Sequence, residues 1–206
     1  MSEKIVIIDY GMGNHFSVQK KMNRLGYNSL TTNNPETINN ANKIILPGVG
    51  HFGKAMENLH QLNLIDILNE QVLVKKKPIL GICLGMQLMA SYSKEGNTKG
   101  LNWIDAVVEE FNISDQLKYK IPHTGWNQIK ALKNSKLLDR VSDLSEFYFV
   151  HSYHFNCNDK ADTLCSTDYE SEFISAVEHN NIFGVQFHPE KSHDTGMQLL
   201  KNFIEL

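Results

Sequence analysis

Pro78-Ile-Leu-Gly81-Ile-Cys83-Leu-Gly85-Met-Gln87 is the stretch that decides the fold. Pro78 to Ile82 is a short apolar run of strand length, and Leu84 to Ser91 favours a helix. Cys83 then falls on a strand-to-helix turn of the form Gly-x-nucleophile-x-Gly, whose glycines remove side chains that would crowd the turn. A turn of this kind projects its central side chain from the C-terminal edge of a parallel sheet, where ligands of open α/β sheets bind. The start of the following helix adds free N–H groups, which favour a thiolate. A lone cysteine is more often just a small buried residue, and the turn is what argues otherwise here.

Strands and helices alternate around this segment. Lys4 to Asp9 is a continuous β-branched run closed by the turn Gly11-Met-Gly-Asn14, and helical spacing follows to Leu25 with Gly26 as the stop. Lys43 to Leu46 reads as a second buried strand ending in the turn Pro47-Gly-Val-Gly50. Phe52, Met56 and Leu59 mark a helix face, and a further helix covers Leu64 to Val74. Strand, crossover helix, strand, repeated, predicts a parallel sheet covered on both faces. Beyond it, Val107–Phe111, Lys118–Ile121, Phe147–Val150, Phe173–Val177 and Ile182–Phe187 suit β structure, and Thr195 to Ile204 suits a closing helix. Asn112–Lys118 and Asn156–Asp162 read as exposed loops, and Met86 and Met89 as core residues behind the turn. The expectation is one α/β domain over residues 1–206: a three-layer sandwich with a mostly parallel central sheet and extra antiparallel strands in its second half.

Bulk properties narrow the function class. Over 206 residues, 41% hydrophobic and 21% charged content are ordinary for a globular chain, and a net charge of −3 without a dense Lys/Arg run argues against nucleic acid. No apolar stretch is long enough to span a bilayer, and Met1-Ser-Glu-Lys4 lacks the shape of a signal peptide. Three scattered cysteines (Cys83, Cys157, Cys165) suit neither a disulfide framework nor a zinc site, so a reducing cytoplasm is expected and no metal or cofactor is implied.

A reactive cysteine needs a base. Among nine histidines, His188 stands out because it follows a predicted strand directly and opens His188-Pro-Glu190. Pro189 cannot prolong a ladder, and Glu190 is placed to bond the far ring nitrogen, fixing the tautomer and supporting the imidazolium. By itself this segment is equally a solvated strand-end turn. Val49 and Gly50, with the N–H of Leu84, supply the flexible backbone that an oxyanion hole requires, although Pro47 to Gly50 alone is more simply a Gly-rich turn.

Taken together, Asp9-Tyr-Gly-Met-Gly-Asn14, Leu46-Pro-Gly-Val-Gly50, Gly81-Ile-Cys-Leu-Gly-Met-Gln87, Pro122-His-Thr-Gly-Trp-Asn127, Tyr148-Phe-Val-His-Ser-Tyr153 and Phe187-His-Pro-Glu-Lys-Ser192 resemble the class I (triad-type) glutamine amidotransferases, whose sandwich is flavodoxin-like. The resemblance implies that Cys83, His188 and Glu190 hydrolyse the side-chain amide of glutamine through a glutamyl thioester, with His188 protonating the departing ammonia. It implies further that Gln87 and Glu95 hold the glutamine head group and that the Ser152-Tyr153 backbone meets its carboxylate. Gln87 as a plain polar helix residue, and Glu95 as part of a mobile loop, are the simpler alternatives.

The Gly-Trp-Asn and Phe-Val-His-Ser-Tyr segments are narrower. They resemble glutaminase subunits that pass ammonia through a dry tunnel to a (β/α)8-barrel cyclase partner making imidazole glycerol phosphate in histidine biosynthesis. Asn14, Trp126, Tyr148 and Lys191 match positions facing that partner; core packing is the plainer role for the two aromatics. His193 stands where glutamine is expected. A paralogous subfamily supplies ammonia for amidino-sugar synthesis in surface polysaccharides, and cysteine peptidases or γ-glutamyl hydrolases share the architecture. Gln87 and Gly-Trp-Asn argue against those hydrolases, and the intact triad against a non-catalytic subunit.

Overall fold

The computed structural model describes residues 4–206; the start of the N-terminal segment read above for leader character lies outside the described residues. In the first half come β1 (Ile5–Ile8), α1 (His15–Arg24), β2 (Ser29–Thr32), α2 (Pro35–Asn39), β3 (Lys43–Gly48), α3 (Phe52–Gln61), α4 (Leu64–Asn69, continuing as a π turn over Glu70–Val74), β4 (Ile79–Cys83) and α5 (Leu84–Gln87). The second half holds β5 (Ala90–Ser93), β6 (Thr98–Lys99), β7 (Ile104–Glu110), β8 (His123–Gln128), β9 (Lys130–Ala131), β10 (Glu146–His151), β11 (Tyr153–Cys157), β12 (Thr163–Tyr169), β13 (Ser171–His179), β14 (Ile182–Val185) and α6 (His193–Glu205).

The main sheet runs β2-β1-β3-β4-β14-β13-β11-β7-β5-β6, with β12 and β9 continuing from β13, and β8 and β10 form a separate antiparallel pair. Pairings from β2 through β14 are parallel, and those of β13 with β14 and β11 are antiparallel. This is the expected α/β class. Side-chain alternation builds its three layers: Ile5 and Ile7 of β1 join Val18, Met22, Leu199 and Phe203 on one face, while Val6 and Ile8 join Leu59, Leu64 and Leu68 on the other. Each such buried side chain contributes about 1.5–3 kcal/mol.

Glycines bring β3, β4 and α5 into backbone contact. A Cβ on Gly85 would land on the Leu46 carbonyl; on Gly81 it would lie 2.7 Å from Gly85 O and 2.7 Å from Met86 N. On Gly48 it would meet the Tyr10 hydroxyl, which donates to Pro47 O at 2.8 Å. Met86 and Met89 are fully buried, as expected.

Several local expectations are corrected. The helix starting at Leu84 stops at Gln87 rather than Ser91, because the Leu88 and Met89 carbonyls accept instead from Leu101 N at 2.8 Å and Trp103 N at 2.9 Å. Residues 118–121 form no strand: Asp115 Oδ1 accepts from Leu117 N and Lys118 N and curls the chain into a turn. β3 continues two residues into the Pro47–Gly50 turn, whereas β14 ends at Val185. The loop read at Asn156–Asp162 begins inside β11 and ends on a buried Asp162, whose carboxylate pairs with His179 at 2.7 Å. The strands β2, β5, β6, β8, β9, β11 and β12 were not expected.

Gly85→Ala is expected to cost about 4 kcal/mol of unfolding free energy or prevent folding, because backbone cannot yield as a flexible side chain can. Gly26→Ala, with φ of +85° but open space around it, should cost only about 1 kcal/mol. Urea unfolding of both variants measures the contrast.

Candidate active site

Cys83 closes β4 with φ 54° and ψ −111°, a conformation that a side-chain-bearing residue rarely adopts. Such strain costs on the order of 1–3 kcal/mol and persists only where surrounding structure enforces it; here the glycine contacts on either side do so. α5 is a single turn, so the macrodipole expected from a longer helix shrinks to the free N–H groups of that turn.

His188 reaches the same place from β14. After the bend at Gln186-Phe187 it precedes a 3-10 turn over Pro189–Lys191, and its Nδ1 lies 2.8 Å from Glu190 Oε1, both side chains being 1% exposed. A carboxylate only accepts, so Nδ1 carries the proton and Nε2 is left for other work. Nε2 is buried with no hydrogen-bond partner among the described residues. Burial opposes charge on this ring, but the nearby Cys83 sulfur and the Glu190 carboxylate outweigh it and lift the His188 pKa to about 9. The backbone is pinned too: His188 N donates to Tyr148 O at 2.8 Å, and Ser192 Oγ donates to His188 O at 2.6 Å.

In front of Cys83 lies a cavity of about 280 Å³, room for on the order of nine waters or one amino-acid-sized molecule. Its walls include Val49, Gly50, Cys83, Leu84, Gln87, Glu95, Ser152 and Tyr153. His188 and Glu190 are buried and are not among the residues lining it. Gly50 has φ of +110°, the backbone freedom that the turn was expected to need. Glu95 is not a loose loop residue: its Oε2 accepts from Phe52 N at 2.8 Å at the start of α3.

Pro122, Val150 and His151 also line the cavity and were not anticipated. His151 belongs to a chain of buried polar groups behind the cavity wall. Its Nδ1 donates to Tyr153 O at 2.8 Å, so its Nε2 accepts from His123 Nδ1 at 3.1 Å, and His123 Nε2 accepts from Asn127 Nδ2 at 3.3 Å. Asn127 Nδ2 also donates to Asp168 O at 3.0 Å. Burial pushes the pKa of His123 down to about 4 and that of His151 to about 3, which keeps both rings neutral. Gln87 is a buried residue whose Nε2 also donates to Tyr153 O, at 2.9 Å. Period and spacing carry no signal for such a chain, because its members come from β8, β10, β11 and α5.

The positions expected to face a partner cluster in part. Lys191 Nζ lies 5.6 Å from the Tyr148 ring centroid, and Tyr148 lies 6.0 Å from Trp126, which is 45% exposed. His193 stacks on Trp126 at 4.9 Å with planes 6° apart, so the flat ring in place of the expected glutamine covers one indole face. Asn14 caps α1 by accepting from Ser17 N. No group of His, Cys, Asp and Glu among the described residues is arranged to hold a metal ion.

The family model for class-I glutamine amidotransferases matches residues 6–206. Imidazole glycerol phosphate synthase subunit HisH 2 of Methanococcus maripaludis is 53% identical over 201 residues, covering 98% of each chain. The subunit HisH 2 of Pseudomonas aeruginosa is 46% identical over 202 residues, covering 98% of this chain and 99% of its own. Among solved structures, PurLQS from Thermotoga maritima aligns with a TM-score of 0.76 at 15% identity, covering 100% of this chain and 99% of that one. A glutamine amidotransferase from the same organism aligns at 0.66 and 17% identity, covering 100% and 82%. At those identities the structural likeness is one of fold.

Two outcomes follow from this geometry. Because Cys83 is held at positive φ, Cys83→Gly should unfold at least about 1 kcal/mol less readily than Cys83→Ala, reversing the usual order of the two residues; equal stabilities in urea would refute the strain. The raised His188 pKa contributes stability that is fully present below pH 6.5 and is lost as pH rises through about 9. Ring-proton NMR should therefore find His188 titrating near pH 9 and distinctly lower in Glu190→Gln, whose unfolding midpoint should fall less between those pH values.

Proposed function

The chain belongs to the class-I glutamine amidotransferase family, and from that premise we propose that it is the glutaminase subunit of imidazole glycerol phosphate synthase, acting in the cytoplasm as one domain over residues 1–206. The observation that carries the reading is a small cavity lined by Cys83 together with a buried His188–Glu190 pair whose ring feels the Cys83 sulfur. The names of relatives that align over nearly the whole chain favour the histidine-pathway subunit over the amidino-sugar paralogue.

Glutamine enters with its amide at Cys83. The sulfur attacks the amide carbon, and the oxyanion is held by N–H groups of the Val49–Gly50 turn and of Leu84. The C–N bond breaks as His188 protonates the departing ammonia, leaving a glutamyl thioester. Water, deprotonated by His188, cleaves the C–S bond and releases glutamate. Glu190 keeps the ring in the tautomer that presents Nε2 and supports the imidazolium. Gln87 and Glu95 hold the head group, and the Ser152–Tyr153 backbone meets the carboxylate. Bulk water would protonate the ammonia and remove its nucleophilicity, so the product passes directly into a (β/α)8-barrel synthase subunit docked over Asn14, Trp126, Tyr148 and Lys191.

Glutamate release from glutamine, measured with and without the barrel partner, tests the reading. Turnover should be low for the isolated chain and rise when the partner and its ligand are added, and Cys83→Ala should abolish it while partner binding persists. A folded protein inactive under both conditions, or a Cys83→Ala variant that keeps its rate, would sink the proposal.

A further inference from the structure

Gln186 lies between β14 and His188, is fully buried, and touches the reacting atom: its Nε2 donates to Cys83 Sγ at 3.6 Å. We propose that Gln186 is a further catalytic residue, a fixed N–H donor to the Cys83 sulfur whose direction is set by the carbonyl of Tyr153 through Gln87. The proposal rests on Cys83 as the nucleophile and adds a residue that the family chemistry described above does not use.

The orientation of both amides follows from one group that can only accept. Tyr153 O takes hydrogen bonds from His151 Nδ1 and from Gln87 Nε2, which turns the NH2 end of Gln87 towards it. The second hydrogen of that NH2 goes to Gln186 Oε1 at 3.0 Å. With its oxygen committed there, Gln186 presents its own NH2 to the sulfur. Turning either amide over would set oxygen against oxygen at Tyr153 or NH2 against NH2 between the glutamines, so the network has one consistent direction. It also leaves Gln87 Oε1 as the free end of that side chain, on a residue that lines the cavity.

The sulfur changes charge twice in each turnover, and the donor acts at the anionic stages. As thiolate it accepts the Gln186 N–H; as thioester it is neutral and the bond weakens. When water adds to the thioester carbonyl and the C–S bond breaks, the electron pair returns to sulfur, where the N–H is already aimed. Donor and base therefore approach the sulfur separately, and His188 remains free to move the proton.

Gln186→Met keeps length and volume and removes the donor. Alkylation of Cys83 by iodoacetamide, followed at the Cys83 peptide by mass spectrometry, should slow about tenfold. Burial pushes Cys157 and Cys165 up to about 12, so they contribute little background. With glutamine as substrate, kcat should fall about tenfold and KM should rise, because Gln87 loses its second partner. An unchanged alkylation rate in folded protein would overturn the proposal. If Gln186→Met does not fold, the wild-type protein supplies the test: the Gln186 side-chain amide resonance should shift when Cys83 is alkylated, and a fixed resonance would refute the contact. Glutaminase activity retained by Cys83→Ala would instead remove the nucleophile itself, an outcome separable from both.

Discussion

The contact between Gly85 and the Leu46 carbonyl is the constraint on which this molecule turns. It lets the end of β3 and the start of α5 touch backbone to backbone, and only at that distance can β4 finish in a left-handed cysteine. Gly81 and Gly48 complete the same contact from either side. A single methyl group at any of the three would push the layers apart and relax Cys83 towards an ordinary strand end. The strained residue is therefore a product of packing beneath it, not of local preference.

A second constraint is one of direction. Carbonyls and carboxylates accept and never donate, and two of them orient the site. Glu190 decides which nitrogen of His188 is free, and Tyr153 O decides which way Gln87 and, through it, Gln186 face. The neutral His123–His151 pair serves Tyr153 rather than any proton transfer, since burial holds both rings uncharged. Two histidines that resemble catalytic candidates in a list of residue types thus prove to be scaffolding for a backbone oxygen.

Much of this was legible in the sequence, for identifiable reasons. Strands β1, β3 and β4 announce themselves as continuous apolar runs because both faces are covered, and the Gly-Ile-Cys-Leu-Gly turn is a local motif whose glycines have a local cause. The seven residues expected to flank the glutamine and its oxyanion line one cavity together with Cys83. What stayed hidden depends on distant partners. α5 stops after one turn because residues 101–104 take its next carbonyls, and nothing between Leu84 and Ser91 encodes that competition. Gln186 looked like one more strand residue, since its meaning lies in Gln87 and Cys83, about a hundred positions away.

Glu95 carries a consequence of its own. One oxygen of its carboxylate is occupied by Phe52 N–H, at the first residue of α3 and two residues beyond Gly50. A cationic group entering the cavity would share that carboxylate with the helix, so ligand affinity and the anchoring of the Val49–Gly50 segment draw on the same negative charge.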